Sequence, residues 1–220
     1  MKKIISLLLI STFLFAGEIG TLIYKQGLVK VQHQHSIRKK SLKLNDKILN
    51  GDKISTYDSI ATIELNDKSI IKLDKYSTIK FDNNKFKQEN GKIYYKITKR
   101  KQQTLKVATL FTTIGVKGTI FIVDADKTKM VALKRGLVSL TAPKGKYEIH
   151  KKKLVDEYEA FKMGMNNEFN EYKKDLYKEF IEYKKSFDLK QNFMVTFDGN
   201  KAYEKKLNPK EFDYFENNFK

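Results

Sequence analysis

Apolar residues recur along the first two thirds of the chain in short runs with polar residues between them. The runs are Thr21 to Tyr24, Leu28 to Val31, Ile54, Ile60 to Leu65, Ile70 to Leu73, Ile79 to Phe81, Ile93 to Ile97, Met130 to Leu133, Leu137 to Leu140 and Tyr147 to Ile149. Turn-forming clusters separate them: Gln26-Gly27, Asn45-Asp46, Asn50-Gly51-Asp52, Asn66-Asp67-Lys68, Asp82-Asn83-Asn84 and Arg135-Gly136. In the clearest run Ile63 and Leu65 alternate with Thr62 and Glu64. An alternation of period two places one set of side chains on each face of a strand. Many short strands at roughly ten-residue spacing predict a mainly β unit, either solenoid-like or sandwich-like.

The stretch Leu105 to Val123 sits at the centre of this pattern. Leu105, Val107 and Thr109 alternate with Lys106 and Ala108, and Thr119 to Val123 is an apolar run with buried-strand character. Gly115 and Gly118 lie between the two, and glycines at that spacing predict a tight backbone bend.

At Lys151 the period changes. Tyr158, Phe161, Met165, Phe169, Tyr172, Leu176, Phe180, Tyr183 and Phe187 step by three or four residues, and Glu168-Phe-Asn-Glu-Tyr-Lys-Lys recurs eleven positions on as Glu179-Phe-Ile-Glu-Tyr-Lys-Lys. An eleven-residue repeat keeps an apolar stripe almost straight along an α-helix. The pattern predicts a long amphipathic helix over residues 151–190, about 60 Å in length. Phe169, Tyr172, Leu176, Phe180 and Tyr183 form a candidate partner-binding stripe, which could instead dock on the chain's own β-unit. Residues 191–220 read as a short α/β tail: a strand at Phe193 to Phe197, a turn at Asp198-Gly199, and a helix after Asn208-Pro209 carrying Phe212, Phe215 and Phe219.

Composition adds location. Met1 to Ala16 has Lys2 and Lys3, an apolar run from Ile4 to Phe15 and a small residue at Ala16. The run is too short to span a bilayer and reads as a signal peptide cleaved after Ala16. The expected mature chain is periplasmic or secreted, with no transmembrane segment. It contains no cysteine, so its stability must come from burial without disulfides.

The net charge of +18 is uneven: residues 150–220 hold 15 lysines against 14 acidic residues, and the remainder holds 29 basic against 12 acidic. Export argues against nucleic acid. An anionic envelope glycan stays open as a partner of the basic β-unit, beside the reading in which the lysines only solvate the surface. Only Arg38, Arg100 and Arg135 are arginines, and arginine is the residue suited to bidentate phosphate recognition.

Candidate chemistry is sparse. His33 and His35 stand two apart without a third ligand at suitable spacing, and Asp124 and Asp126 lack the spacing of a calcium loop. Gly115 to Thr119 lacks the phosphate-loop spacing. There is no cysteine nucleophile, serine elbow or carboxylate pair. The expectation is a non-enzyme without catalytic, cofactor-binding or metal-binding residues.

Four motifs in order carry a resemblance. They are Gly51-Asp52-Lys53-Ile54-Ser55-Thr56; the alternating runs Ser59 to Leu65 and Asp67 to Leu73; Ile114-Gly115-Val116-Lys117-Gly118-Thr119 with Phe121 and Val123; and Gly136-Leu137-Val138. Together they resemble the FecR-type domain, with its G-D-x-I-x-T step, its G-V-R-G-T-x-F-x-V signature and its closing G-x-V turn. Lys117 stands where the family commonly has arginine, and Leu110 where it has proline. The resemblance implies structural roles for Gly51, Asp52, Thr56, Gly115, Gly118, Thr119, Phe121 and Gly136. Family sensors place a cytoplasmic anti-sigma segment and a membrane helix before this domain. With a signal peptide in that position, the expectation is a stand-alone exported form.

The sequence therefore predicts a signal peptide (1–16), a FecR-like β-domain (17–150), a long helix (151–190) and a short tail (191–220). The expected role is a protein-binding or scaffold module of the bacterial envelope, or of self-association. Binding of lipopolysaccharide or cell-wall glycan is the alternative.

Overall fold

The computed structural model describes residues 17–99, 104–126, 128–154 and 177–219. The signal-peptide segment lies outside them. In chain order the strands are β1 (Glu18–Gln26), β2 (Val29–Gln32), β3 (Lys39–Ser41), β4 (Lys47–Leu49), β5 (Lys53–Thr56), β6 (Ile60–Leu65), β7 (Ile70–Leu73), β8 (Thr78–Lys80), β9 (Lys85–Asn90) and β10 (Lys92–Lys96). They continue as β11 (Leu105–Ala108), β12 (Thr113–Val116), β13 (Ile120–Asp124), β14 (Met130–Arg135), β15 (Leu137–Thr141), β16 (Tyr147–Leu154), β17 (Tyr177–Lys184), β18 (Ser186–Lys190), β19 (Phe193–Asp198) and β20 (Lys201–Lys206). One helix follows, α1 (Lys210–Asn218).

The strands form two open sheets. One has eleven strands in the order β17-β16-β20-β19-β14-β13-β10-β7-β6-β1-β4; the other has nine in the order β18-β15-β12-β11-β9-β8-β5-β2-β3. The chain alternates between the sheets and advances along both together. Pairing is antiparallel except where β11 meets β9 and β16 meets β20. The mainly β expectation therefore holds, with two sheets sharing one core.

That core follows from the alternation. In β6, Ala61, Ile63 and Leu65 point between the sheets and are buried, and Ile54 and Ile79 meet them from the other layer. Phe81 packs edge-on against Phe86 at 4.9 Å, and Tyr95 stacks on Phe121 at 4.8 Å. A polar link between Tyr95 and Gln88 in the interior is fully partnered. Tyr95 donates its hydroxyl to Gln88 Oε1 at 2.9 Å, and Gln88 Nε2 donates to the carbonyls of Gly91 and Val123. A buried amide left unpaired would cost about 1–3 kcal/mol, so this pairing makes the polar pair tolerable.

A second apolar cluster lies on the outer face of the eleven-stranded sheet. Phe212, Phe215 and Phe219 from the α1 end of the chain cover Tyr94, Ile122, Met130, Ala132 and Met194. Strands β13 and β14 are thereby buried on both faces, which is why Ile120–Val123 and Met130–Leu133 read as continuous apolar runs.

The long helix over 151–190 is not formed. Residues 151–154 belong to β16, residues 177–184 form β17, and residues 186–190 form β18. The part of the repeat between residues 155 and 176 lies outside the described residues. In the described part, Phe187 and Leu189 are buried two apart while Ser186, Asp188 and Lys190 are exposed. That strand alternation overlays the three-four stepping, and the partners β15 and β16 decide between them.

Gly118 and Gly115 behave differently. Gly118 has φ +70°, and an added Cβ would sit 3.1 Å from Lys99 Cβ. Gly115 lies inside β12, where an added Cβ would meet nothing closer than 3.8 Å. The bend is thus made by Gly118 alone. Gly118→Val should cost about 1–3 kcal/mol, the range for a strained backbone, whereas Gly115→Ala should be close to neutral. Thermal unfolding of the two variants checks this, and equal melting would remove the assigned role of Gly118.

Candidate functional site

The signature residues fasten turns and lie dispersed along the sandwich. Asp52 is 1% exposed; its Oδ2 accepts from the Leu49 amide at 2.9 Å and its Oδ1 meets His33 Nδ1 at 2.8 Å. Gly51 has φ +87°, with Gln34 packed against the place a Cβ would take. Thr56 donates to the Asp74 carbonyl at 2.6 Å and accepts from the Ser77 amide at 2.9 Å, which ties β5 to the turn before β8. Gly118, Thr119 and Gly136 do converge: an added Cβ on Gly136 would lie 2.7 Å from Thr119 Cγ2. Phe121 is in the core against Tyr95.

The two histidines lie in the loop after β2, and His33 is engaged with Asp52. They line a shallow groove of about 460 Å³ with Gln32, Lys53, Lys80, Lys87 and Glu89. Asp126 Oδ1 accepts from the Gly91 amide and Asp124 Oδ1 from the Asp126 amide, so both aspartates close a turn. Among the described residues no three or more histidine or acidic side chains group as metal ligands.

Two features emerge from the register. The first is a lysine ladder on the outer face of the nine-stranded sheet. Lys53 pairs with Lys80, Lys80 with Lys87, and Lys85 with Lys106 across neighbouring strands. Among the described residues, only Lys53 of these lysines has an ion pair, with Glu89. Like charges placed directly opposite are destabilising.

The second is the seat of α1. Lys72 Nζ donates to the carbonyls of Phe215 at 2.8 Å and Phe219 at 3.2 Å, capping the C-terminal turn of α1. Its Nζ lies 5.4 Å from the centre of the Tyr94 ring, which stacks on Phe215 at 5.8 Å. Burial lowers the pKa of Lys72, and Lys96 adds to that while Glu216 opposes it. The Ile70-x-Lys72 alternation and the Phe212, Phe215, Phe219 spacing were both visible in the sequence; their meeting was not.

Of the aromatic stripe, Phe169, Tyr172 and Leu176 lie outside the described residues. Phe180 and Tyr183 fall in β17, and Tyr183 is exposed together with Ile181. The stripe as a helical face is thus replaced, at its described end, by the last strand of a sheet. Among the described residues no helix is long and apolar enough to cross a membrane.

With this geometry in place, residues 52–139 match the family model described as FecR protein. Over that segment the chain is similar to the FecR family. The FecR match runs from the start of β5 into β15, and both sheets continue past it on each side. Two crystal structures of a "putative anti-sigma factor" from Parabacteroides distasonis ATCC 8503, at 2.50 and 1.65 Å resolution, share the fold. Each is 13% identical; TM-scores are 0.51 and 0.50, covering 75% and 74% of this chain. The chain spans just under two thirds of those proteins, 64% and 63% of their lengths. No curated protein matches the chain.

Tyrosine burial gives this fold an alkaline limit. Burial pushes the Tyr94 and Tyr147 hydroxyls up to about 12 from an ordinary 10.0. Between those values the unfolded chain has released protons that the folded chain keeps. Their stabilising contribution is complete below pH 10 and is lost as pH rises toward 12. Tyr94→Phe should therefore flatten the fall in Tm across pH 10 to 12, and an unchanged slope would remove Tyr94 from this account.

Proposed function

We propose that this FecR-domain chain is an exported, non-enzymatic binding module of the bacterial envelope, and that it holds a protein partner at the β17–β18 end of its two sheets. The observation that supports this is β17 itself. It is the terminal strand of the eleven-stranded sheet, eight residues long, and pairs only with β16 among the described residues. Ile181 and Tyr183 on it are 49% and 63% exposed. A strand edge with unpaired backbone groups can template an added strand, while alternate side chains give selectivity. Export rests on the Met1 to Ala16 segment, and the solved neighbours lend the fold alone.

The test is capture from an envelope extract with the purified chain and an Ile181→Lys, Tyr183→Lys double variant. One protein should be recovered in moderate salt by the parent, and at least about tenfold less by the variant, a loss of roughly 1.4 kcal/mol or more. Equal recovery by both would reject the β17 edge.

The lysine ladder favours a second reading, in which an anionic lipopolysaccharide or cell-wall glycan lies along the nine-stranded sheet. Lys80, flanked by Lys53 and Lys87, is the discriminating residue. Lys80→Glu should raise Tm by removing two like-charge pairs, and it should lower affinity for purified lipopolysaccharide while reducing its salt dependence. A rise in Tm with unchanged lipopolysaccharide affinity would leave the ladder as surface charge only.

A further inference from the structure

We propose that the groove beside α1, on the outer face of the eleven-stranded sheet, binds a single-chain anionic amphiphile: an alkyl carboxylate or an alkyl phosphate. The inference goes beyond the protein-partner reading and uses none of its residues.

The groove, of about 420 Å³, falls in the size range of small-molecule sites. Two adjacent cross-strand rows build it. Thr62, Lys72 and Tyr94 stand side by side on β6, β7 and β10, and Ile70, Lys96 and Ile120 stand side by side on β7, β10 and β13. Ile70 and Ile120, with Ile23 from β1, supply an apolar floor. Beyond them α1 contributes Glu216 as a wall.

Charge favours an anion. Glu216, the acidic side chain lining the groove, is held by Lys134 at 2.5 Å. Among the described residues Lys72 and Lys96 form no ion pair, and the two Lys72 bonds to α1 carbonyls are to neutral acceptors. Lys72 and Lys96 stand in the two adjacent rows of the groove, so both ammonium groups line the same space. A carboxylate or phosphate between them is met by both positive charges.

A hydroxyl favours it independently. Thr62 is 1% exposed and its Oγ1 has no hydrogen-bond partner. A buried polar atom in that state costs about 1–3 kcal/mol, and valine of the same shape would avoid the cost. Thr62 lines the groove next to Lys72, where its hydroxyl can donate to a ligand oxygen. The two lysines and the hydroxyl define a head-group site, and the three isoleucines define a place for an alkyl chain. The concave floor behind α1 suits one chain, which separates this ligand from a flat bilayer surface.

The test is calorimetric titration of the purified chain with dodecanoate, dodecyl phosphate and the uncharged dodecyl maltoside, each below its micelle concentration. Both anions should bind, with the maltoside at least about tenfold weaker. Thr62→Val should weaken the anions severalfold while its Tm stays level or rises, and Lys96→Gln should weaken them without loss of Tm. A preference for dodecyl phosphate points to phospholipid-derived ligands and a preference for dodecanoate to free fatty acids, and either supports the proposal. It is overturned if neither anion binds, if the maltoside binds as tightly, or if both variants bind the anions as the parent does. Those outcomes leave the β17 reading intact, since Ile181 and Tyr183 are absent from the groove.

Discussion

Each sheet of this protein has an apolar face that water would penalise, and neither sheet closes on itself. The two faces can be removed from water only against each other. Every buried isoleucine, leucine or phenylalanine in that seam contributes about 1.5–3 kcal/mol. With no disulfide, the seam carries the fold. The dependence explains the path of the chain: it crosses from one sheet to the other after one or two strands, so both layers lengthen together and neither inner face is left bare. It also explains the Gln88–Tyr95 pair, since a polar link in such a layer is stable only when every donor and acceptor is met.

The same constraint accounts for the turns. Gly51, Gly118 and Gly136 adopt positive φ where the chain leaves one layer or reverses within it. Asp52 and Thr56 then satisfy backbone groups that the reversal frees. These residues make up most of the family signature, and their chemistry is used up in holding the scaffold. Any recognition must use what remains on the surface: strand edges, the lysine-bearing outer face, and the uncovered strip beside α1.

The strands of the first two thirds were legible because alternation maps directly onto a one-sided face, as in Ile63 and Leu65. The signature was legible for a related reason: glycine at φ +70° tolerates few substitutes, so Gly118 is marked in text as well as in space. Gly115 carried the same letter without the same need. Residues 177–190 were misread because Phe180, Tyr183 and Phe187 step by three and four, and no local rule weighs that against Phe187 and Leu189 at two. Tertiary partners override local periodicity there, with β15 and β16 both offering ladders. The lysine ladder and the groove were hidden for another reason. Lys53, Lys80 and Lys87 are neighbours only through the register of β5, β8 and β9, which no spacing along the chain encodes.

The position of α1 has a consequence for what counts as the unit of this protein. The family match ends at residue 139, yet the three phenylalanines that cover Tyr94, Ile122, Met130 and Ala132 lie more than seventy positions later. Within the matched segment alone, the outer faces of β10, β13 and β14 would be a greasy wall open to water, and β14 would lose β19 as its neighbour. The stretch that matches the family is therefore smaller than the stretch that shares these buried faces. A chain that kept the matched segment and lost the last helix would need another cover for the same wall.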